Sequence, residues 1–132
     1  MESATSTASQ ADAPIDHLIG SFCGDAFGPT LIAVGSIHGN EQGGALALRR
    51  VAAVLDNIES KLRGRVYLIQ GNVRAFREKV RYIEADLNRH WTRANTTAID
   101  SGDPPSGSED LELRELLTMF RGILDTARNE VF

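Results

Sequence analysis

The sequence holds a single cysteine, Cys23, among 132 residues. An internal disulfide is therefore excluded, and this usage fits a reducing compartment. Basic residues are not in excess either: 14 Lys and Arg stand against 18 Asp and Glu, a net charge of −4. A nucleic-acid partner would call for a basic face, so this balance speaks against one. No apolar run approaches the ~18 residues that a transmembrane helix needs. The opening MESATSTASQADAP has neither a basic segment nor an apolar one and does not read as a secretory signal. Residues 1–14 have almost nothing to bury and are expected to form a disordered tail. The expectation is a cytoplasmic protein with no membrane or nucleic-acid partner.

What the sequence does have is a glycine-rich turn, GSIHGNEQGG, at Gly35–Gly44. It follows the apolar run Thr30–Val34, which suits a strand buried on both faces. It precedes Leu48, Val51, Ala52, Leu55, Ile58 and Leu62, whose three- and four-residue spacing predicts an amphipathic helix over 42–62. Gly64 reads as the stop of that helix, and Arg65–Gln70 as the next strand. Strand, helix and strand make a parallel βαβ unit, whose binding crevice lies at the C-terminal strand ends. His38 and Glu41 fall at that edge. Imidazole nitrogen and carboxylate oxygen are both zinc donors, and three-residue spacing lets both reach one ion. Taken alone, H-x-x-E is a common accident; its place in a strand-to-helix turn gives it weight.

A first strand is expected over 17–23, with His17 at the surface and Cys23 a small buried hydrophobe. Gly28-Pro29 reads as punctuation between strands. After the third strand comes Arg81–Trp91, RYIEADLNRHW, on the same sheet edge as His38. Arg81 and Arg89 offer planar forks for a carboxylate, and Asn88 adds a neutral donor and acceptor. Any one of these arginines could be an ordinary solvated residue; as a set at a strand end they point to an anionic ligand. Residues 92–108 are poor in apolar side chains and are expected to form one long flexible loop. Ser106-x-x-Glu109 reads as a capping box, followed by a helix over 109–128. The fold class is α/β, a parallel or mixed sheet with flanking helices.

Together, GSIHGNE (35–41), GNVRA (71–75) and RYIEADLNRHW (81–91) resemble the succinylglutamate desuccinylase/aspartoacylase family of zinc hydrolases. The resemblance runs from about Ile19 onward. It implies a carboxypeptidase A-like fold and one zinc ion, with His38 and Glu41 as the first two metal ligands. It implies that Arg81 polarises the scissile carbonyl, and that Asn88 and Arg89 hold the substrate's carboxylate. It implies a small-molecule N-acyl amino acid as substrate, and for Asp86 a carboxylate that orients a neighbour. Val73 stands where the family often has proline, and His90-Trp91 where it often has phenylalanine; His90 reads as a loop histidine and not a ligand.

The family's third ligand, a histidine in a D-x-H stretch, and its general base have no counterpart. Residues 15–132 are therefore read as the N-terminal part of such a catalytic domain, truncated, inactive alone, and prone to self-association through uncovered apolar faces. Two alternatives stay open: a metallocarboxypeptidase acting on peptides, and a non-catalytic binding module.

Overall fold

The structure, a computed structural model, describes residues 15–129. The expected tail over 1–14 lies outside them. Three strands form one mixed sheet: β1 (Leu18–Cys23), β2 (Ala26–Gly35) and β3 (Arg63–Gln70), in the order β1-β3-β2. β3 is central, antiparallel to β1 and parallel to β2. Between β2 and β3 runs α1 (Gln42–Ile58), closed by a 3-10 turn at Glu59–Lys61. Then follow α2 (Val73–Glu78), α3 (Leu87–His90), α4 (Arg93–Asp100) and α5 (Ser108–Asn129).

Side chains alternate across the sheet, and this divides the core in two. On one face Gly20 sits against Ala52 of α1, and Gln70 meets Arg49. On the other, Tyr67 and Ile69 of β3 and Ile32 of β2 pack with Leu87 and with Leu113, Leu116 and Ile123 of α5. Trp91 and Phe120 extend that cluster with ring centroids 5.4 Å apart. β2 lies at an edge of the sheet, and its Leu31 is 58% exposed, as is Val54 of α1 at 59%. No helix among the described residues is long and apolar enough to cross a membrane.

Several sequence expectations need correction. Gly28-Pro29 does not end a strand; it lies inside β2, where the register against β3 slips between Ala26 and Thr30. Proline has no N–H to give, so it is tolerated at an irregular edge. Gly64 is not a helix stop but the facing residue of that irregularity, at φ 92° with Pro29 O where a Cβ would stand. Residues 92–108 are not one loop, since they contain α4. Thr92 Oγ1 accepts from Asn95 N and caps it, and Arg121 of α5 binds Asp100 at its other end. The capping box is not made: Ser106 N donates to Asp110 Oδ2, and Glu109 is turned into the protein. Cys23 is exposed, at the last residue of an edge strand.

The largest departure is His17, expected at the surface and in fact 1% exposed. Its Nδ1 donates to the carbonyls of Gln70 and Gly71, each at 2.9 Å. Its Nε2 lies 3.1 Å from Glu112 and 3.5 Å from Glu115. Arg74 completes the cluster, 3.1 Å from Glu112 and 2.6 Å from Glu115. Two cations and two carboxylates make this burial tolerable, because each charge has an opposite neighbour.

Candidate functional site

The glycine-rich turn is fixed before it carries any chemistry. Ser36 takes a left-handed conformation, φ 57°, which reverses the chain after β2. Its Oγ donates to Glu41 O at 2.8 Å and accepts from Ala45 N at 3.0 Å, closing the turn onto α1. Gly71 N donates to Gly35 O and Asn72 N to Ser36 O, so the ends of β2 and β3 stay zipped past the sheet. Gly39 passes so close to the backbone at Ala75 and Phe76 that a Cβ there would collide with it. Gly39 N also donates to Arg81 O at 3.0 Å, which brings the second motif to the first.

His38 stands at this junction, its side chain 12% exposed. Nε2 donates to Asp86 Oδ1 at 3.0 Å, and Nδ1 lies 3.2 Å from Glu41 Oε1. Arg81 reaches across both carboxylates, 3.4 Å from Asp86 Oδ2 and 3.9 Å from Glu41 Oε1. Asp86 also caps α3 by accepting from Asn88 N at 3.0 Å. Burial pushes the Asp86 carboxyl up. The His38 contact and the N–H groups of Asn88 and Arg89 more than offset this and hold it below the usual carboxylate range.

Four side chains thus converge: His38, Glu41, Arg81 and Asp86. Asn88 and Arg89 follow directly on α3 and are exposed, but their side chains make no hydrogen bond to those four among the described residues. His90 lies on α3 rather than in a loop, with Nε2 3.2 Å from Asp110 Oδ1.

Imidazole nitrogen and carboxylate oxygen are both zinc-type donors, so His38 and Glu41, in direct contact at 3.2 Å, could contribute two ligands to one ion. Asp86 occupies Nε2, so the Nδ1 side is the one turned to Glu41. Among the described residues, no group of three or more His, Cys, Asp or Glu has the arrangement to hold a metal. A cleft of about 390 Å³ does exist elsewhere, lined by Asp16, Arg49, Asp56 and Gln70 between β1 and α1. The converging polar residues His38, Glu41, Arg81 and Asp86 lie outside that cleft, at the open sheet edge.

One residue here has a different role from the capping box its sequence position suggests. Glu109, 1% exposed at the start of α5, accepts from the N–H groups of Ile83, Glu84 and Ala85 and from Asn72 Nδ2. The signal was its place on the same helical stripe as Leu113 and Leu116.

Residues 27–127 match the family model of the succinylglutamate desuccinylase/aspartoacylase catalytic domain. Among solved structures, the chain is similar to the succinylglutamate desuccinylase from Chromobacterium violaceum. The two are 27% identical with a TM-score of 0.50, over 72% of this chain and 28% of that one. It is also similar to the product-bound ectoine utilization protein EutE (DoeB) from Ruegeria pomeroyi. There the identity is 26% and the TM-score 0.49, over 67% and 25% of the two chains. The chain therefore spans about a quarter of the length of these structures. No curated protein matches it.

Proposed function

The chain belongs to the succinylglutamate desuccinylase/aspartoacylase family, and from that premise we propose that it carries part of a zinc-dependent active site that hydrolyses the amide bond of an N-acyl amino acid. The observation that supports this most is His38, gripped by Asp86 on Nε2 and facing Glu41 with Nδ1. In this reading His38 and Glu41 would hold one zinc ion, with a further protein ligand from outside the described residues. The chemistry such an ion supplies is Lewis acidity toward a carbonyl oxygen and toward water.

The chain's own residues would do the rest. Asp86 keeps the His38 ring in one orientation and leaves Nδ1 open, the usual service of a carboxylate behind a metal-bound histidine. Arg81, half exposed beside both carboxylates, presents N–H donors to an amide oxygen as it gains negative charge. Asn88 and Arg89 are exposed on the next turn and would take the substrate's carboxylate. The substrate class proposed for this open polar edge is a small anionic N-acyl amino acid.

The test is calorimetric titration with zinc of the wild type and the His38→Ala and Arg81→Ala variants. Hydrolysis of N-acetyl-aspartate, N-succinyl-glutamate and a peptide panel is measured beside it on the full gene product. His38→Ala is expected to abolish zinc binding. Arg81→Ala is expected to keep zinc and lose about 10²–10³ in turnover, the scale of a lost oxyanion donor. Zinc uptake indifferent to His38 would overturn the proposal.

A further inference from the structure

Arg81 and Asp86 sit at the two ends of a six-residue segment with no regular secondary structure of its own. Something must hold that segment, because His38 can keep its orientation only if Asp86 keeps its place. The backbone N–H groups of Ile83, Glu84 and Ala85 all point one way, onto a single carboxylate. Glu109 Oε1 accepts from Glu84 N at 2.7 Å and Ala85 N at 2.9 Å; Oε2 accepts from Ile83 N at 3.1 Å. Oε2 also accepts from Asn72 Nδ2 at 2.8 Å. Asn72 is fully buried, caps α2 through Ala75 N, and donates its own N–H to Ser36 O in the glycine-rich turn. One carboxylate therefore touches the segment of Arg81 and Asp86 directly, and the turn of His38 and Glu41 through one intermediate.

We propose that Glu109 is the positioning residue of this site: its buried carboxylate binds the Arg81–Asp86 segment and the turn after β3 into one body, and so holds His38 Nε2 on Asp86. Four donors satisfy a carboxylate's acceptor capacity. The first turn of α5 adds the positive end of a 22-residue helix. Burial pushes the Glu109 carboxyl up, but its hydrogen bonds from Ala85, Asn72, Glu84 and Ile83 outweigh this and keep it below the ordinary range. The group is thus an ionised carboxylate spent wholly on organising the loop. Its hydrogen bonds go to Ile83, Glu84, Ala85 and Asn72, not to His38, Glu41 or Arg81. The inference rests on the proposed reading only for its catalytic meaning; the geometry it claims is tested without zinc or substrate.

Glu109→Gln is the sharpest variant, being nearly isosteric. Its NH₂ group must face two of the four donors whichever way the amide turns. The experiment follows amide exchange and the side-chain ¹⁵N signals of His38 in the labelled 132-residue chain, with Leu116→Ala as a control that weakens the core without touching the carboxylate. In the wild type, Ile83, Glu84 and Ala85 should exchange slowly, and His38 should show a single Nε2-protonated, hydrogen-bonded state. In Glu109→Gln, these amides should exchange about tenfold faster or more, as buried donors lose their acceptor, and the His38 ring should lose its single state. Leu116→Ala should raise exchange broadly and leave the His38 ring signals unchanged. The proposal is overturned if Glu109→Gln leaves the His38 signals as in the wild type, or if Leu116→Ala moves them equally. Should Glu109→Gln fail to fold, the wild type decides: unprotected amides at 83–85 overturn the proposal and protected ones support it. A wild type that ignores zinc while Glu109→Gln still frees His38 would sink the proposed function and leave this inference standing.

Discussion

Two histidines in this chain face paired carboxylates, and only one of them keeps a ring nitrogen beside an exposed carboxylate. His17 and His38 each set Nε2 against an acidic side chain at 3.0–3.1 Å. The difference lies at the other ring nitrogen. His17 Nδ1 is occupied by two backbone carbonyls, and Nε2 is enclosed against Glu112 and Glu115, so neither ring nitrogen is open. His38 Nδ1 faces Glu41 alone, whose side chain is 62% exposed. Contact between histidine and carboxylate therefore says little; what matters is whether a ring nitrogen remains open beside an accessible donor. The first cluster joins β1, the end of β3, α2 and α5 as a structural device. The second is held from behind and open in front.

The strongest way to break this comparison is to remove one member of the buried cluster. Glu112→Ala leaves His17 and Arg74 competing for Glu115 alone, with an uncompensated charge inside the protein. Breaking a buried pair in this way costs about 3–5 kcal/mol, a large share of the ~5–15 kcal/mol that stabilises a typical domain. Urea unfolding at neutral pH is the measurement. A change under about 1 kcal/mol would mean that the cluster is solvated in solution and not the buried unit described here.

The second prediction concerns pH. Burial lowers the His17 pKa, but the hydrogen bond to Glu115, the charge of Glu112 and the Gln70 carbonyl more than reverse this, so it is raised. Its stabilising contribution is then fully present below the unfolded histidine value of ~6.5 and is lost as pH rises through the folded value. Glu112, pushed up by burial against the pull of Arg74 and His17, acts in the same direction. For Glu115 burial pushes up, but His17, Arg74 and the Ile15 N–H win and its pKa is lowered. Its contribution is lost as pH falls through the folded value. Stability should therefore decline on the alkaline side of ~6.5. The double variant His17→Leu, Glu112→Leu keeps the Arg74–Glu115 pair and should show a flatter profile there. Parallel profiles for the two proteins would remove His17 as the cause.

The two clusters were unequally legible in the sequence, for a physical reason. The open site is built from short segments at a strand end: H-x-x-E in one turn and D-L-N-R in another. Local spacing there nearly fixes geometry, and His38, Glu41 and Arg81 do converge. The βαβ unit was legible for the same reason, since the apolar run of β2 and the helical stripe of α1 are each local signals. The buried cluster joins residues about a hundred positions apart, His17 with Glu112 and Glu115. No local pattern announces that pairing, and an isolated histidine at a strand start looks exposed. α5 held the clue: Glu109, Glu112, Leu113 and Leu116 are all buried. Carboxylates on a core-facing stripe demand partners. α4 was missed because Arg93–Asp100 is mostly polar and short; it is held by the Thr92 cap, by Arg121 and by the single apolar anchor Ile99, too little for a legible stripe.

The smallest expected effect on stability is the most telling for function. Glu41 stands at the N-cap of α1 but makes no side-chain capping bond. What closes the turn is its backbone carbonyl, which accepts from Ser36 Oγ and survives truncation of the side chain. Its carboxylate is mostly exposed, so Glu41→Ala should change stability by no more than about 0.5 kcal/mol. The same substitution removes one of the two proposed zinc donors, and a ligand that binds only the folded state raises stability as its concentration exceeds the dissociation constant. Adding zinc should therefore raise the urea midpoint of the wild type and leave that of Glu41→Ala where it was. Glu112→Ala should do the reverse, beginning from a much lower midpoint and still responding to zinc. This crossed pattern is what separates an open donor pair from a buried ion cluster. If zinc shifted wild type and Glu41→Ala alike, the metal would be binding elsewhere on the chain, and the distinction drawn between the two histidines would fall.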